Sequence, residues 1–266
     1  MGRDVINLNF GRQAFGADPA GYDTVRPGYP AWVFETLRDH CGLGPDTVVF
    51  EIGAGTGKAT RPMLDMGVAV LVAVEPDQRL AGYLRETVPD KALEVVISSF
   101  EDAELMDASF DLGMCATAFH WLDEDQALAK VVRLIRPGGW WAMVWNVTGD
   151  PERADPFHEA TKVLLAGPSS PSREGEGQVP FALDTKARMA ALESTELFEN
   201  IEHQTAAWSM ILDPVQVMAL YGTYSNINIR PDREAVLAEL GRIARDEFGG
   251  RVTRNMVTSL YIARRK

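Results

Sequence analysis

The sequence predicts an α/β protein: a doubly wound, mostly parallel, seven-stranded sheet with helices on both faces and a helical cap. Three observations predict it. From Thr47 onward, short continuous apolar runs alternate with helical patterns, which is how strands read when helical crossovers bury both faces of a parallel sheet. Five such runs follow one another before residue 148, and two more lie in the last third of the chain. At 266 residues with a 46 % apolar share, the chain can bury the core that such a sheet needs within one domain, 1–266.

The elements follow in order. Pro30 opens a helix that runs to His40, with Val33, Phe34 and Leu37 on one face and Gly42 as its stop. The strands are 47–52 (TVVFEI), 69–74 (AVLVAV), 93–98 (LEVVIS), 110–115 (FDLGMC) and 140–147 (WWAMVWNV), with helices at 58–66, 77–87 and 124–135 between them. The last helix sets Leu128, Val131, Val132 and Ile135 at helical spacing and stops at Pro137-Gly138-Gly139. The stretch 167–180 has a single apolar aliphatic residue, Val179, and reads as mobile. A strand at 202–212, helices at 214–222 and 231–247, and a strand at 258–264 complete the pattern. The polar, glycine-rich segment 1–28, with Phe10, Phe15 and Tyr22, reads as an arm or lid. Together with the insertion at about 213–250 it would form the cap.

Composition narrows the partners. A formal net charge of −12 opposes any ligand whose affinity comes from neutralised phosphates, so no nucleic-acid partner is expected. No run of eighteen apolar residues occurs, which predicts no membrane partner, and MGRDVINLNF lacks the apolar core of a leader. Cys41 and Cys115 have no metal-ligand spacing, and neither His158 nor His203 has a cluster around it. No metal is therefore expected, and the thiols suit a reducing cytoplasm. A monomer or homodimer is expected.

The most heavily punctuated stretch is EIGAGTGKAT, Glu51–Thr60, with glycines at 53, 55 and 57. A phosphate loop ending at Gly57-Lys58 would need glycine at 52 and serine or threonine at 59; Ile52 and Ala59 stand there. The dinucleotide fingerprint fits Gly53 and Gly55, but Lys58 occupies the place of its third glycine. Lys58 accordingly reads as a surface residue in a helix's first turn. What remains is an acid, a spacer and three alternating glycines, following a buried strand and opening a helix. Without Cβ atoms this backbone can approach a ligand closely. Glu75 ends the second strand twenty-four residues after Glu51, where a carboxylate can accept both hydroxyls of a ribose.

On these residues, and on SSFED (98–102), SFDLGMCATAFHWLD (109–123) and LIRPGGWWAMVW (134–145) in order, the chain resembles the class I S-adenosylmethionine-dependent methyltransferases over most of residues 47–147. The resemblance implies the Rossmann-like methyltransferase fold, S-adenosyl-L-methionine as cofactor with S-adenosyl-L-homocysteine as product, and a small-molecule acceptor. It implies cofactor contacts from Glu51, Gly53, Ala54, Gly55, Glu75, Pro76, Ser99, Phe100, Glu101, Ala116 and His120. His120, directly after the fourth strand, is the candidate general base where the acceptor must lose a proton. The segment YDTVRPGYP (22–30) is similar to the N-terminal segment of the trans-aconitate methyltransferase-like group, which implies that Tyr22 and Arg26 reach the cofactor's carboxylate. For the acceptor, the expected wall is Tyr29, Trp121, Trp208, Tyr221, Tyr224 and Asn226. Two other readings use the same loop: a cofactor-binding protein that transfers no methyl, and a nicotinamide-dependent oxidoreductase, against which Lys58 counts.

Overall fold

In the computed structural model, residues 6, 15–167, 170–172 and 179–266 are described. Phe10 and nearly all of 1–14, together with 168–169 and 173–178 of the expected mobile stretch, lie outside the described residues. The strands are β1 (Val48–Ile52), β2 (Val70–Val74), β3 (Leu93–Val96), β4 (Phe110–Ala116), β5 (Ile135–Thr148), β6 (Phe198–Leu212) and β7 (Val252–Arg265). They form one seven-stranded sheet in the order β3-β2-β1-β4-β5-β7-β6. The first five run parallel, and β7 enters antiparallel between β5 and β6.

The helices sort by face, which makes the sheet doubly wound. Val49, Leu71, Leu112, Ala142 and Leu260 point to a cluster closed by α2 (Ala31–Cys41), α3 (Thr60–Asp65) and α4 (Gln78–Thr87). Their neighbours along the strands, including Phe50, Cys115, Trp141 and Tyr261, point to a second cluster closed by α5 (Glu124–Leu134) and α7 (Thr185–Ser194). Period-two alternation supplies both faces from the same strands. Local chemistry fixes the helix starts: Asp77 accepts from the Arg79 N–H at 2.9 Å for α4, and Asp123 from the Gln126 N–H at 3.0 Å for α5.

A third apolar cluster lies outside this sandwich. α8 (Pro214–Tyr221), α9 (Ser225–Asn228) and α10 (Arg233–Asp246) connect β6 to β7 and bury Val217, Leu220, Ile227, Leu237 and Leu240 with Phe157 of α6 (Pro156–Thr161). Asp213 and Gln216 close a capping box at the start of α8. α1 (Pro19–Val25) lies between this insertion and α4, with Arg26 at its C-terminal end.

Two expectations change. β3 is the sheet edge, half-buried along its length and four residues long, and Ile97 beyond it is 41 % exposed. The apolar run 93–98 therefore belongs to a strand covered only in part. Pro137-Gly138-Gly139 does not separate a helix from a strand. α5 stops at Leu134, and the three residues bulge within β5, so that pairing jumps from Phe110–Ile135 to Leu112–Trp140. Gly138 takes φ +84, and a Cβ on Gly139 would meet the Asp111 carbonyl at 2.8 Å. Among the described residues no helix is long and apolar enough to cross a membrane, and no group of three or more His, Cys, Asp or Glu could hold a metal. Cys41 and Cys115 are buried free thiols.

Candidate cofactor and acceptor site

One row of paired residues crosses the whole sheet: Val96, Val74, Ile52, Cys115, Met143, Tyr261 and His203. The residues one step beyond it, at the carboxyl ends of the parallel strands, are Glu75, Gly53 and Ala116. Ligands of open α/β sheets sit at that end. Here the chain surrounds a cavity of about 1260 Å³, larger than a single drug-sized ligand requires. A smaller space of about 70 Å³, which shares Tyr22, Arg26, Gly53 and Gly55 with it, continues beneath the loop to Tyr29, Glu51 and Lys58.

The glycine loop is built by left-handed backbone. Gly53, Gly55 and Gly57 take φ of +66, +57 and +90, which an L side chain would resist. A Cβ on Gly53 would strike Ala118 Cβ at 2.7 Å, whereas one on Gly55 would have nothing closer than a backbone oxygen at 4.0 Å. Gly53 therefore serves close packing, and Gly55 leaves open space on the cavity side. Glu75 ties the loop to β2: its Oε2 accepts from the Gly55 N–H at 2.8 Å and its Oε1 from the Asp77 N–H at 2.9 Å. Burial pushes the Glu75 carboxyl up to about 7, against the pull of those two N–H groups, with the Asp77 charge adding to the rise. Glu51 is also buried, and its Oε2 accepts from Thr60 Oγ1 at 2.6 Å. Burial lifts its carboxyl to about 8 despite that bond, with the Glu75 charge adding.

At the end of β4 Thr117 takes φ +56, a conformation that costs a β-branched residue energy and is found where the surroundings enforce it. Its N–H donates to the Val144 carbonyl at 2.7 Å, and its Oγ1 shares a 2.7 Å hydrogen bond with Tyr29 OH. His120 follows, 7 % exposed. Trp145 Nε1 donates to His120 Nδ1 at 3.2 Å, and an indole N–H can only donate, so the imidazole carries its proton on Nε2. Burial pushes its pKa down to about 3. The side chain expected as a general base is thus held as a neutral N–H donor.

α1 brings Tyr22 to the cavity lining, with Arg26 at its end, and is fastened on both sides. The Lys58 ammonium donates to the Asp23 carbonyl and lies 3.4 Å from its Oδ1, while Arg61 is 3.3 Å from that same oxygen. Tyr83 OH donates to Asp23 Oδ2 at 3.4 Å. At the other end Arg26 donates to Thr223 through Nε (2.8 Å) and Nη2 (3.1 Å) and lies 4.5 Å from the Tyr224 ring. Lys58, expected as a surface residue, is thus a fastening between loop and arm. The glycine-loop pattern alone gives no sign of it, because its partner lies thirty-five residues earlier.

Of the remaining candidates, the large cavity is lined by Tyr22, Arg26, Pro76, Ala116, Trp121, Tyr221, Tyr224 and Asn226, and the small one by Tyr29 and Ala54. Phe15, opposite Trp121 at 5.9 Å, joins the lining of the larger. Four candidates are not brought to either space. Phe100 turns under the sheet, stacks on Phe50 at 6.1 Å and is held there by Lys130 Nζ, which donates to the Phe100 and Glu101 carbonyls at 2.6 and 3.1 Å. Ser99 Oγ is engaged with Asp102 at 2.7 Å. Trp208, on the edge strand β6, donates its Nε1–H to Thr258 at 2.9 Å. The sequence reading missed Asn146, Thr148 and Arg254, which line the cavity from β5 and β7. A period-two reading of β5 does single out Asn146 and Thr148 as polar residues at the strand's carboxyl end.

Comparison with known proteins adds the family context. A family model described as a methyltransferase domain matches residues 50–143. An uncharacterised methyltransferase of Schizosaccharomyces pombe is 29 % identical over 58 % of this chain and 59 % of its own length. The chain spans about half the length of the curated relatives it matches. Among solved structures, the YcgJ protein of Bacillus subtilis superposes with a TM-score of 0.57 at 16 % identity, over 89 % of this chain and 99 % of that one. A phosphoethanolamine N-methyltransferase of Haemonchus contortus, solved with phosphomonomethylethanolamine and S-adenosylhomocysteine, superposes with a TM-score of 0.57 at 14 % identity, over 98 % of this chain and 60 % of its own. The matched segment 50–143 covers about a third of the chain, and the seven-stranded sheet has the Rossmann-like fold of these solved structures.

Proposed function

We propose that the protein transfers a methyl group from S-adenosyl-L-methionine to a small-molecule acceptor. The observation that carries this reading is a single cavity that runs from Gly53, Gly55 and Glu75 to the aromatic wall of Tyr221 and Tyr224. The residues fit the cofactor: Gly55 leaves open a space that a side chain would occupy, and two buried acids suit a diol and an ammonium, whose charge would favour the ionised form of the acid beside it. Glu75 would hold the ribose hydroxyls, Glu51 and the loop backbone would face the methionine portion, and Tyr22 with Arg26 would reach its carboxylate. The last two roles rest on the likeness of 22–30 to the trans-aconitate methyltransferase-like group.

The cofactor supplies a methyl group already activated on a sulfonium. The protein's own share is therefore alignment of the acceptor for in-line displacement and exclusion of water. α1, pinned by Asp23 and Arg26, closes the mouth. Thr117, locked by Tyr29, fixes the cavity floor, and His120 offers a neutral N–H to an oxygen or nitrogen lone pair. The insertion 213–250 and the arm serve as the acceptor cap.

Calorimetric titration with S-adenosylmethionine, S-adenosylhomocysteine and NAD tests the cofactor assignment. The two sulfur nucleosides are expected to bind and NAD not to; preference for NAD, or no binding of either nucleoside, would overturn it.

A further inference from the structure

At the far side of the cavity from Glu75, a pair of buried hydrogen-bond donors has no acceptor. Arg254 lies on β7, two residues before Met256, which pairs with the last residue of β5, Thr148. It is 3 % exposed and lines the cavity together with Tyr221, itself 3 % exposed. The Arg254 guanidinium donates through Nη1 to Tyr221 OH and lies 3.1 Å from Asp155 Oδ2 through Nη2. Its Nε–H has no partner among the described residues. A guanidinium can only donate, so the Tyr221 oxygen is the acceptor of their bond and keeps its own hydrogen to give. No acceptor for that hydrogen occurs among the described residues. Buried donors left unpaired cost stability, and both residues belong to the lining of the same cavity.

We infer that Tyr221 and Arg254 form the recognition site for an uncharged oxygen on the methyl acceptor, a ketone, ester or amide carbonyl; the inference rests on the methyl-transfer reading of this cavity. Charge decides between a carbonyl and a carboxylate. Asp155 already balances Arg254, and its Oδ1 is committed to the His158 N–H at 2.9 Å as the cap of α6. A carboxylate placed here would meet an anion whose partner it must share, in a buried setting where that repulsion is weakly screened. A carbonyl asks only for donors, which Tyr221 and Arg254 carry, whereas Asp155 Oδ2, which has no hydrogen-bond partner among the described residues, would repel a second anion. Strand geometry sets the scale: two residues separate Arg254 from the Thr148 level, roughly 7 Å at the strand rise. The acceptor's carbonyl would then lie about that far beyond the Asn146–Thr148 segment.

Three bicyclic aromatics that differ in one group test this: 1-acetonaphthone, 1-naphthoate and 1-ethylnaphthalene, titrated by ligand-observed NMR into protein with and without S-adenosylhomocysteine. The ketone is expected to bind at least ten-fold tighter than either analogue. Tyr221→Phe should weaken ketone binding about ten-fold while leaving 1-ethylnaphthalene and S-adenosylhomocysteine affinities unchanged. Arg254→Lys, which keeps the charge beside Asp155 but moves the donors, should also remove the preference. Equal binding of ketone and hydrocarbon, tightest binding of naphthoate, a preference that survives Tyr221→Phe, or no binding of any probe would overturn the inference. Failure of S-adenosylhomocysteine alone to bind would count against the methyl-transfer reading, and the titrations without it would still judge the donor pair.

Discussion

Glu75 accepts the Gly55 N–H at 2.8 Å, so the acid at the end of β2 sets the shape of the glycine loop at the end of its neighbour β1. One carboxylate thereby has two tasks, holding the loop and offering its remaining lone pairs to a diol. Glu75→Ala should weaken S-adenosylhomocysteine binding by roughly 1–3 kcal/mol, the range for leaving buried hydrogen-bonding groups unpaired. Calorimetry checks it, and unchanged affinity would remove Glu75 from the site.

Glu51 gives a stability prediction with a definite sign. Its carboxyl titrates near 8 in the folded protein against 4.5 ordinarily. Between those values the folded chain holds a proton that the unfolded chain has released, so stability falls as pH rises across that window. Glu51→Gln in ligand-free protein should raise Tm by several degrees at pH 9, and the gain should vanish near pH 5. Thermal melts at the two pH values decide it; a gain independent of pH would show that Glu51 is ionised throughout.

His120 gives a kinetic one. With Nδ1 occupied by Trp145 and a pKa near 3, it should contribute no ionisation to kcat/KM between pH 5 and 8. His120→Gln, which retains an N–H donor, should keep activity within about ten-fold of the parent, and His120→Ala should lose more. A limb near pH 6.5 that disappears in both variants would reinstate the general base.

Release of product should depend on Asp23. Its carboxylate gathers Lys58, Arg61 and Tyr83, and without it α1 is fastened through Arg26 and the bond from Lys58 to the backbone carbonyl of residue 23. Asp23→Ala should speed S-adenosylhomocysteine dissociation about ten-fold, equivalent to about 1.4 kcal/mol, read by stopped-flow tryptophan fluorescence. Salt should accelerate release in the parent more than in the variant, because the contacts it screens are already gone. Equal rates would place the exit route away from α1.

The parts of the site that follow from strand periodicity were legible in the sequence. Continuous apolar runs located the parallel strands, and their carboxyl ends located Gly53, Glu75 and His120 without any tertiary information. Residues whose place depends on a distant partner were not. Phe100 lies four residues beyond the end of β3 (Val96), and it turns inward because Phe50 and Lys130 receive it. Trp208 looks like wall material, but β6 is an edge strand and Thr258 holds the indole. Arg254 precedes the strand expected at 258–264 but lies within β7, and only Asp155 and Tyr221 beside it make it a buried donor. The tautomer of His120 is set by Trp145, twenty-five residues away.

The position of β7 bears on how the chain assembles. Made last among the strands, it must insert between β5 and β6, both already synthesised. The parallel half, with the glycine loop and Glu75, can close on contacts already available to the nascent chain. The cap side cannot, because Arg254, Asn255 and Thr258 all arrive with β7. Non-local pairing of this kind is slow to form. On the ribosome, a nucleoside pocket would therefore take shape first and the chamber beside it would be walled in at the end, leaving the unpaired sides of β5 and β6 as the surfaces most in need of protection in the interval.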